Sequence, residues 1–220
     1  DVCFVLLFYL FEMDYLLLAA FVIGTYFFPA FPAFPFIHIK GPKHSGNSQI
    51  LTFLEQLCFN AKKARPTKAA LGDTVDSLRG TYLIDQCDSL GNPSNGDLLD
   101  LLTDSYRKSG GKRRFMDMEK GRKVIEQEVY GPKAFASIKD LPEDLRDRCI
   151  IFPVLRSRKN FPDPGEESAD WKGVRDRLYR LLVSEYATIA STYQVQRIAH
   201  KDDSSLVGRM LEIWLPLGVI

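Results

Sequence analysis

The residues best suited to chemistry lie in one short stretch, where glycines and hydroxyl residues follow an apolar run. Gly41, Gly46 and Ser48 have the spacing of the two glycines and the hydroxyl in the phosphate-binding loop G-x-x-x-x-G-K-[ST]. Small residues there let consecutive backbone N–H groups surround phosphate oxygens at the start of a helix. Asn47 occupies the lysine position of the motif. The candidate phosphate-binding residues are Gly41, Pro42, Lys43, His44, Ser45, Gly46, Asn47 and Ser48.

A second stretch places a carboxylate directly after β-forming residues. Tyr82-Leu83-Ile84 ends in Asp85, as a buried parallel strand does when it delivers an acid to the carboxyl edge of a sheet. With Ser48, Asp85 makes a predicted pair of Mg²⁺ ligands. In P-loop ATPases the residue after this aspartate is a glutamate that orients or deprotonates water. Gln86 stands at that position, and an amide cannot act as a base. A turn or cap role for Asp85 is the alternative, since loop sequence follows.

Strands and helices must position these residues, and the hydrophobic pattern predicts both. Residues 36–40, 133–138 and 149–155 are short apolar runs typical of strands, and the segment 80–88 contains another that ends at Asp85. Helical spacing from Ser48 to Cys58 predicts a helix with one buried face, which fades into a solvated exit at residues 62–66. Further helices are predicted at 98–106, 140–148, 171–193 and 208–217. The alternation predicts an α/β fold.

Composition narrows the function classes. The chain has 220 residues, and its hydrophobic fraction of 45% argues against disorder. Its net charge of +1 is too small to attract nucleic acid or a membrane surface through the chain as a whole. Its four cysteines, Cys3, Cys58, Cys87 and Cys149, are widely spaced and form no C-x-x-C pair. We therefore expect buried free thiols, no zinc site and a cytoplasmic location.

The N-terminal region is the most apolar part of the chain. Two runs within residues 2–28 are separated by Glu12 and Asp14, which favours two buried helices over a membrane span, although a span stays an alternative. Prolines recur every third residue through 29–35 and predict a connector whose phenylalanines cover the core. The predicted divisions are 1–35 (helical segment and connector), 36–155 (core) and 156–220 (helical lid). The apolar ending suggests a fragment of a longer protein.

One segment is strongly basic. Residues 107–123 contain eight basic and two acidic residues around a Gly-Gly pair, as in a hairpin or loop that contacts a phosphate backbone. Lys112, Arg113 and Arg114 are the candidate DNA contacts. A solvated loop without a partner is an equal alternative.

Taken in order, these segments resemble AAA+-like P-loop ATPase domains associated with primase and helicase proteins of plasmids, phages and integrated elements. The likeness is carried by residues 41–48, 83–85, 130–137, 141–150 and 212–217. The resemblance implies a three-layer α/β core with a helical lid, and ATP with Mg²⁺ bound between subunits of a homo-oligomeric ring. It implies that Ser137 is a sensor-like group and that Arg148, or alternatively Arg146, is an arginine finger. Either arginine can instead be a helix C-terminal cation.

Two departures from that family concern catalysis. Asn47 and Gln86 replace a lysine and a glutamate. Losing one positioned donor costs roughly 10²–10³ in rate, and losing a general base costs about 10²–10⁴. The resemblance therefore implies a degenerate domain with weak Mg-ATP binding and little hydrolysis, and whether the chain is an enzyme stays open. One alternative is an active DNA helicase or translocase domain in which Lys43 or Lys40 substitutes, and another is a non-enzymatic DNA-binding or assembly module.

Overall fold

A computed structural model describes residues 12–64, 79–117, 123–156, 164–165, 167, 169–200 and 207–220. The helices within these residues are α1 (Glu12–Phe27), α2 (Asn47–Leu57), α3 (Gly96–Asp104), α4 (Glu143–Arg146), α5 (Trp171–Ala199) and α6 (Arg209–Gly218). The strands are β1 (Phe36–Lys40), β2 (Lys62–Ala64), β3 (Tyr82–Ile84), β4 (Lys112–Asp117), β5 (Lys123–Glu128), β6 (Lys133–Ser137) and β7 (Cys149–Pro153).

Five of the strands form one parallel sheet in the order β2-β3-β6-β1-β7. Every residue of β3 and β6 is buried, and so is β1 up to Lys40, as expected of strands covered on both faces. The predicted α/β class with a parallel sheet is confirmed. Strands β4 and β5 form a separate antiparallel pair, and residues 112–117 of the basic segment lie on β4.

Strand β2 corrects the sequence analysis. No strand was predicted at residues 62–64, yet Lys62–Ala64 pairs in parallel with Tyr82–Ile84; residues 65 and 66 of the predicted solvated exit lie outside the described residues. The strand lies at the edge of the sheet, so backbone pairing holds it while its lysines stay partly exposed. Such a short edge strand needs no apolar pattern.

Helices and the proline connector cover the sheet. Helix α2 is bound to it by Leu51 and Leu54, both fully buried, and α1 packs against α5 and α6. Phe31 and Phe34 of the connector are fully buried, as predicted for residues that cover the core. Among the helices that the structure describes, none has the length and apolarity needed to cross a membrane. The helix predicted near residues 2–11 lies outside the described residues.

The order of the strands decides where a ligand can bind. From β1 the chain passes to the far edge at β2 and returns through β3 and β6, and it then crosses β1 to form β7 on the other side. The carboxyl ends of parallel strands meet at one edge, and a crevice opens where the connections diverge. The loops after β1, β3, β6 and β7 therefore share that edge.

Candidate functional site

The loop between β1 and α2 has a tight path that explains both of its glycines. A Cβ atom on Gly41 would lie 2.4 Å from Ser45 Oγ and 2.6 Å from the Val154 carbonyl oxygen. Gly46 has φ = 94°, a left-handed conformation that favours glycine, and α2 begins immediately after it. The free N–H groups of the first turn of α2 thus follow directly on the loop.

Asn47 closes the loop with its side chain. Its Nδ2 donates to the carbonyl oxygens of Gly41 at 2.9 Å and of Ser137 at 3.4 Å, and its Oδ1 accepts from Ser45 Oγ at 2.9 Å. An amide has two N–H hydrogens, and both are directed at protein carbonyls. Asn47 therefore ties the loop to the end of β6, and its side chain presents neither a positive charge nor a spare donor to a ligand.

Ser48, Asp85 and Gln86 meet across the crevice, as the sequence spacing predicts. Ser48 Oγ donates to Asp85 Oδ1 at 3.2 Å, and the Gln86 backbone N–H donates to the same oxygen at 2.9 Å. A hydroxyl beside a carboxylate is an oxygen pair of the type that Mg²⁺ accepts, so these residues fit that cation. Gln86 has φ = 59° and ψ = 51°, a left-handed conformation that costs a non-glycine residue about 1–3 kcal/mol.

Ser137, the predicted sensor, is bonded to a histidine that the sequence analysis did not single out. Its Oγ donates to the Lys139 carbonyl at 2.6 Å and lies 2.7 Å from His38 Nε2. Because the hydroxyl has one hydrogen, His38 must carry its proton on Nε2, which leaves Nδ1 a buried lone pair without a partner among the described residues. Burial lowers the pKa of His38 to about 4. At neutral pH the histidine is thus uncharged, and the Ser137 hydroxyl is directed into the protein.

The segment after β6 is held from two further directions. Asp88 Oδ1 accepts from the backbone N–H groups of Ile138 at 3.0 Å and Lys139 at 2.9 Å. Lys40 Nζ donates to Asp140 Oδ1 at 2.6 Å, a hydrogen bond that lowers the pKa of Asp140. Lys40 is therefore engaged with a carboxylate and is not a spare cation for the loop.

These groups border a crevice of about 730 Å³, within the size range of small-ligand sites. Its lining comprises residues 42–49, Asp85, Gln86, Asp88, residues 136–138 and Arg156. Arg156, which follows β7, was missed by the sequence analysis because it stands in a polar stretch without a motif. The eight predicted loop residues, Asp85, Gln86 and Ser137 are thereby brought to one edge of the sheet.

Arg148 lies at the opposite edge. Its backbone carbonyl accepts from Phe36 N–H at 2.9 Å, which places it at the start of β1, about 13 Å from the strand's end at 3.3 Å per residue. Its guanidinium donates to the Asp144 carbonyl and lies 5.9 Å from the Tyr106 ring centre, where Arg209 also stacks at 5.0 Å. Arg148 does not line the crevice of its own chain.

The candidate DNA contacts form a third location. Lys112, Arg113 and Arg114 lie on β4 and pair with Glu128, Gln127 and Glu126 of β5. Lys112 Nζ donates to Glu126 Oε1 at 2.8 Å. The two strands together carry four basic and three acidic residues, a net charge of +1. Lys112 does not line the crevice.

Comparisons with known proteins add little to this geometry. No family model matches the chain, and no curated protein matches it significantly. Among solved structures it is similar to a JCV helicase with a bound acetamide compound, at 14% identity and a TM-score of 0.38, over 91% of this chain and 53% of that chain. It is also similar to the apo C-terminal region of NrS-1, at 14% identity and a TM-score of 0.42, over 80% of this chain and 42% of that chain. The chain thus spans about half the length, or less, of these structures, and TM-scores below 0.5 establish no shared fold.

Proposed function

We propose that this chain is a nucleotide-binding domain of the AAA+-like P-loop type, related to replication ATPases of mobile elements, which binds Mg-ATP weakly and hydrolyses little of it. The observation that carries the proposal is the contact of Ser48 with Asp85 at 3.2 Å beside a glycine loop that opens a helix. Backbone N–H groups at the helix start suit phosphate oxygens, and the hydroxyl and carboxylate suit Mg²⁺.

The two altered positions support weak binding and low turnover. Asn47 supplies no charge to the loop, since both its donors are used inside the protein. Gln86 lines the crevice beside Asp85, and its neutral side-chain amide cannot take a proton from water. Mg²⁺ held by Ser48 and Asp85 would supply charge neutralisation for the phosphates when bound.

Restoring both residues tests this function. The double variant Asn47→Lys with Gln86→Glu is expected to bind Mg-ATP at least tenfold more tightly than the wild type and to gain measurable phosphate release. Isothermal titration and a phosphate-release assay measure the two effects. The matched control adds Asp85→Ala to the restored variant, which should abolish turnover. A restored protein that neither binds nor hydrolyses ATP would overturn the proposal.

An active motor domain is the alternative from the same class of fold. It predicts phosphate release by the unmodified chain clearly above background, and loss of that release in Asp85→Ala. Such a result would show that the low-turnover part of the proposal is wrong while leaving nucleotide binding intact.

DNA binding and assembly into a ring stay separate proposals. Binding through the β4–β5 hairpin predicts an affinity for DNA that falls steeply with salt and is weakened by replacing Lys112, Arg113 and Arg114 with alanine. Assembly through Arg148 predicts that Arg148→Ala lowers ATP turnover of the restored variant without lowering ATP affinity in the isolated subunit. Arg148 lies at the sheet edge opposite its own crevice, where its guanidinium contacts Asp144 and Tyr106 of the same chain.

A further inference from the structure

We propose that Arg156 supplies the phosphate-binding cation that Asn47 cannot supply. This inference rests on the proposed nucleotide function and names a residue outside the loop motif. The need for a cation is electrostatic, because Asp85 and Asp88 both line the crevice and repel an incoming phosphate chain. The lysine position of the loop holds Asn47, whose side chain is neutral and donates both of its N–H hydrogens to protein carbonyls.

The choice among the available cations follows from what each one contacts. Lys40 is paired with Asp140 at 2.6 Å. Lys43 and His44 are the central residues of the turn closed by Ser45 N–H to the Pro42 carbonyl at 3.2 Å. Both also line the crevice, but neither an ammonium group nor an imidazole offers the planar fork of donors with which a guanidinium contacts two phosphate oxygens at once.

Arg156 approaches from the other wall of the crevice. The chain before it is anchored beside the loop, because Val154 N–H donates to the Lys40 carbonyl at 2.7 Å and the Val154 carbonyl lies close to Gly41. Arg156 is exposed in the crevice and makes no hydrogen bond or ion pair with another described residue. A guanidinium offers several donors in a planar fork that suits two phosphate oxygens at once. The ligand class is therefore a polyphosphate chain, as in a nucleoside triphosphate.

The test compares Arg156→Gln with the matched charge-removing control Lys139→Gln, at an exposed lysine that does not line the crevice. Affinities for Mg-ATP and for inorganic tripolyphosphate are measured by titration calorimetry at one fixed ionic strength, with folding checked by circular dichroism. Losing one charge-assisted contact should weaken both ligands by about 10- to 100-fold in Arg156→Gln. Lys139→Gln should change them by less than about threefold, and Arg156→Lys should fall between the wild type and Arg156→Gln. In the Asn47→Lys background the effect of Arg156→Gln should shrink, because one cation then covers for the other.

Each result separates the inference from the proposed function. Wild-type binding that Arg156→Gln leaves unchanged overturns the role of Arg156 and keeps the nucleotide function. Equal losses in Arg156→Gln and Lys139→Gln indicate that the general positive potential binds the anion, and they also overturn the assignment. A wild type that binds neither Mg-ATP nor tripolyphosphate at millimolar concentration overturns both.

Discussion

Lys133 carries the largest testable consequence for stability. Its ammonium group is buried at the start of β6, where it donates to the carbonyl oxygens of Val129 and Gly131, both at 3.0 Å, and lies 5.3 Å from the Phe36 ring centre. The side chain is 1% exposed, and no ion pair to it is seen among the described residues. Desolvation disfavours the charged form and lowers the pKa of Lys133 from 10.5 to about 7. We predict that Lys133→Met removes a pH dependence of folding.

The magnitude follows from proton linkage. Between pH 7 and 10.5 the unfolded chain binds a proton at this lysine that the folded chain releases, so the free energy of unfolding rises with pH in that window. The full difference between a pKa of 10.5 and about 7 corresponds to about 5 kcal/mol, at 1.36 kcal/mol for each pH unit. Since the folded group is only half deprotonated at pH 7, the gain from pH 7 to pH 9 is about 2 kcal/mol.

Urea unfolding of the wild type and of Lys133→Met at pH 7, 8 and 9, followed by circular dichroism, measures this difference. Methionine has a similar length. The loss of the two hydrogen bonds of Lys133 lowers the free energy of unfolding by an amount that does not vary with pH. That amount therefore cancels when the change with pH is compared. Lys139→Met is the control, because Lys139 is exposed. Its free energy of unfolding should change with pH as that of the wild type does.

The refuting result is also defined by the slope. If the wild type and Lys133→Met gain or lose the same free energy between pH 7 and pH 9, then Lys133 keeps its proton in the folded state. The desolvation argument would then be wrong, and the two carbonyl acceptors with the Phe36 ring would suffice to hold a buried charge.

Three further changes test the site. His38 stays neutral in the folded state, whereas the unfolded chain protonates it below pH 6.5. The free energy of unfolding of the wild type should therefore fall by about 3 kcal/mol between pH 6.5 and pH 4. Acid unfolding curves of His38→Gln should lack this loss. Gly41→Ala should destabilise the loop and abolish nucleotide binding, since its Cβ would lie 2.6 Å from a backbone oxygen. As a control, Gly96→Ala has open space around its Cβ and should stabilise α3 by about 0.5–1 kcal/mol in thermal unfolding. Gln86→Gly should raise stability by about 1 kcal/mol by relieving a left-handed conformation; unchanged or lower stability would contradict that strain.

Local pattern predicted the elements that build the site. Strand β1 and the start of α2 follow from an apolar run, two glycines and helical spacing, all of which are local signals. Asp85 was predicted because a buried strand ends directly before it. Strand β2 escaped prediction because its pairing with β3, and not its own side chains, makes it a strand.

Tertiary contacts decided what pattern could not. His38 stands in an apolar strand, and its role depends on Ser137, 99 residues away. The bonds of Asn47 likewise reach Ser137, 90 residues on, so the sequence identified a missing lysine without revealing what the asparagine does instead. Arg156 lies in the crevice only because β7 is placed beside β1.

The shape of the loop and its chemistry are therefore separable in this chain. A lysine at position 47 would have to direct its charge into the crevice and leave the Gly41 and Ser137 carbonyls to other donors. Asn47 instead satisfies both carbonyls and accepts from Ser45, which makes the loop conformation independent of a bound anion. Because the Asn47 side chain holds the loop, its glycines stay in place without a ligand. The conformation of the loop is therefore evidence for the fold and not for ligand binding. Evidence of binding has to come from groups that are still free to contact phosphate, and among the cations lining the crevice Arg156 is the one that the anchored β7 wall positions for that contact.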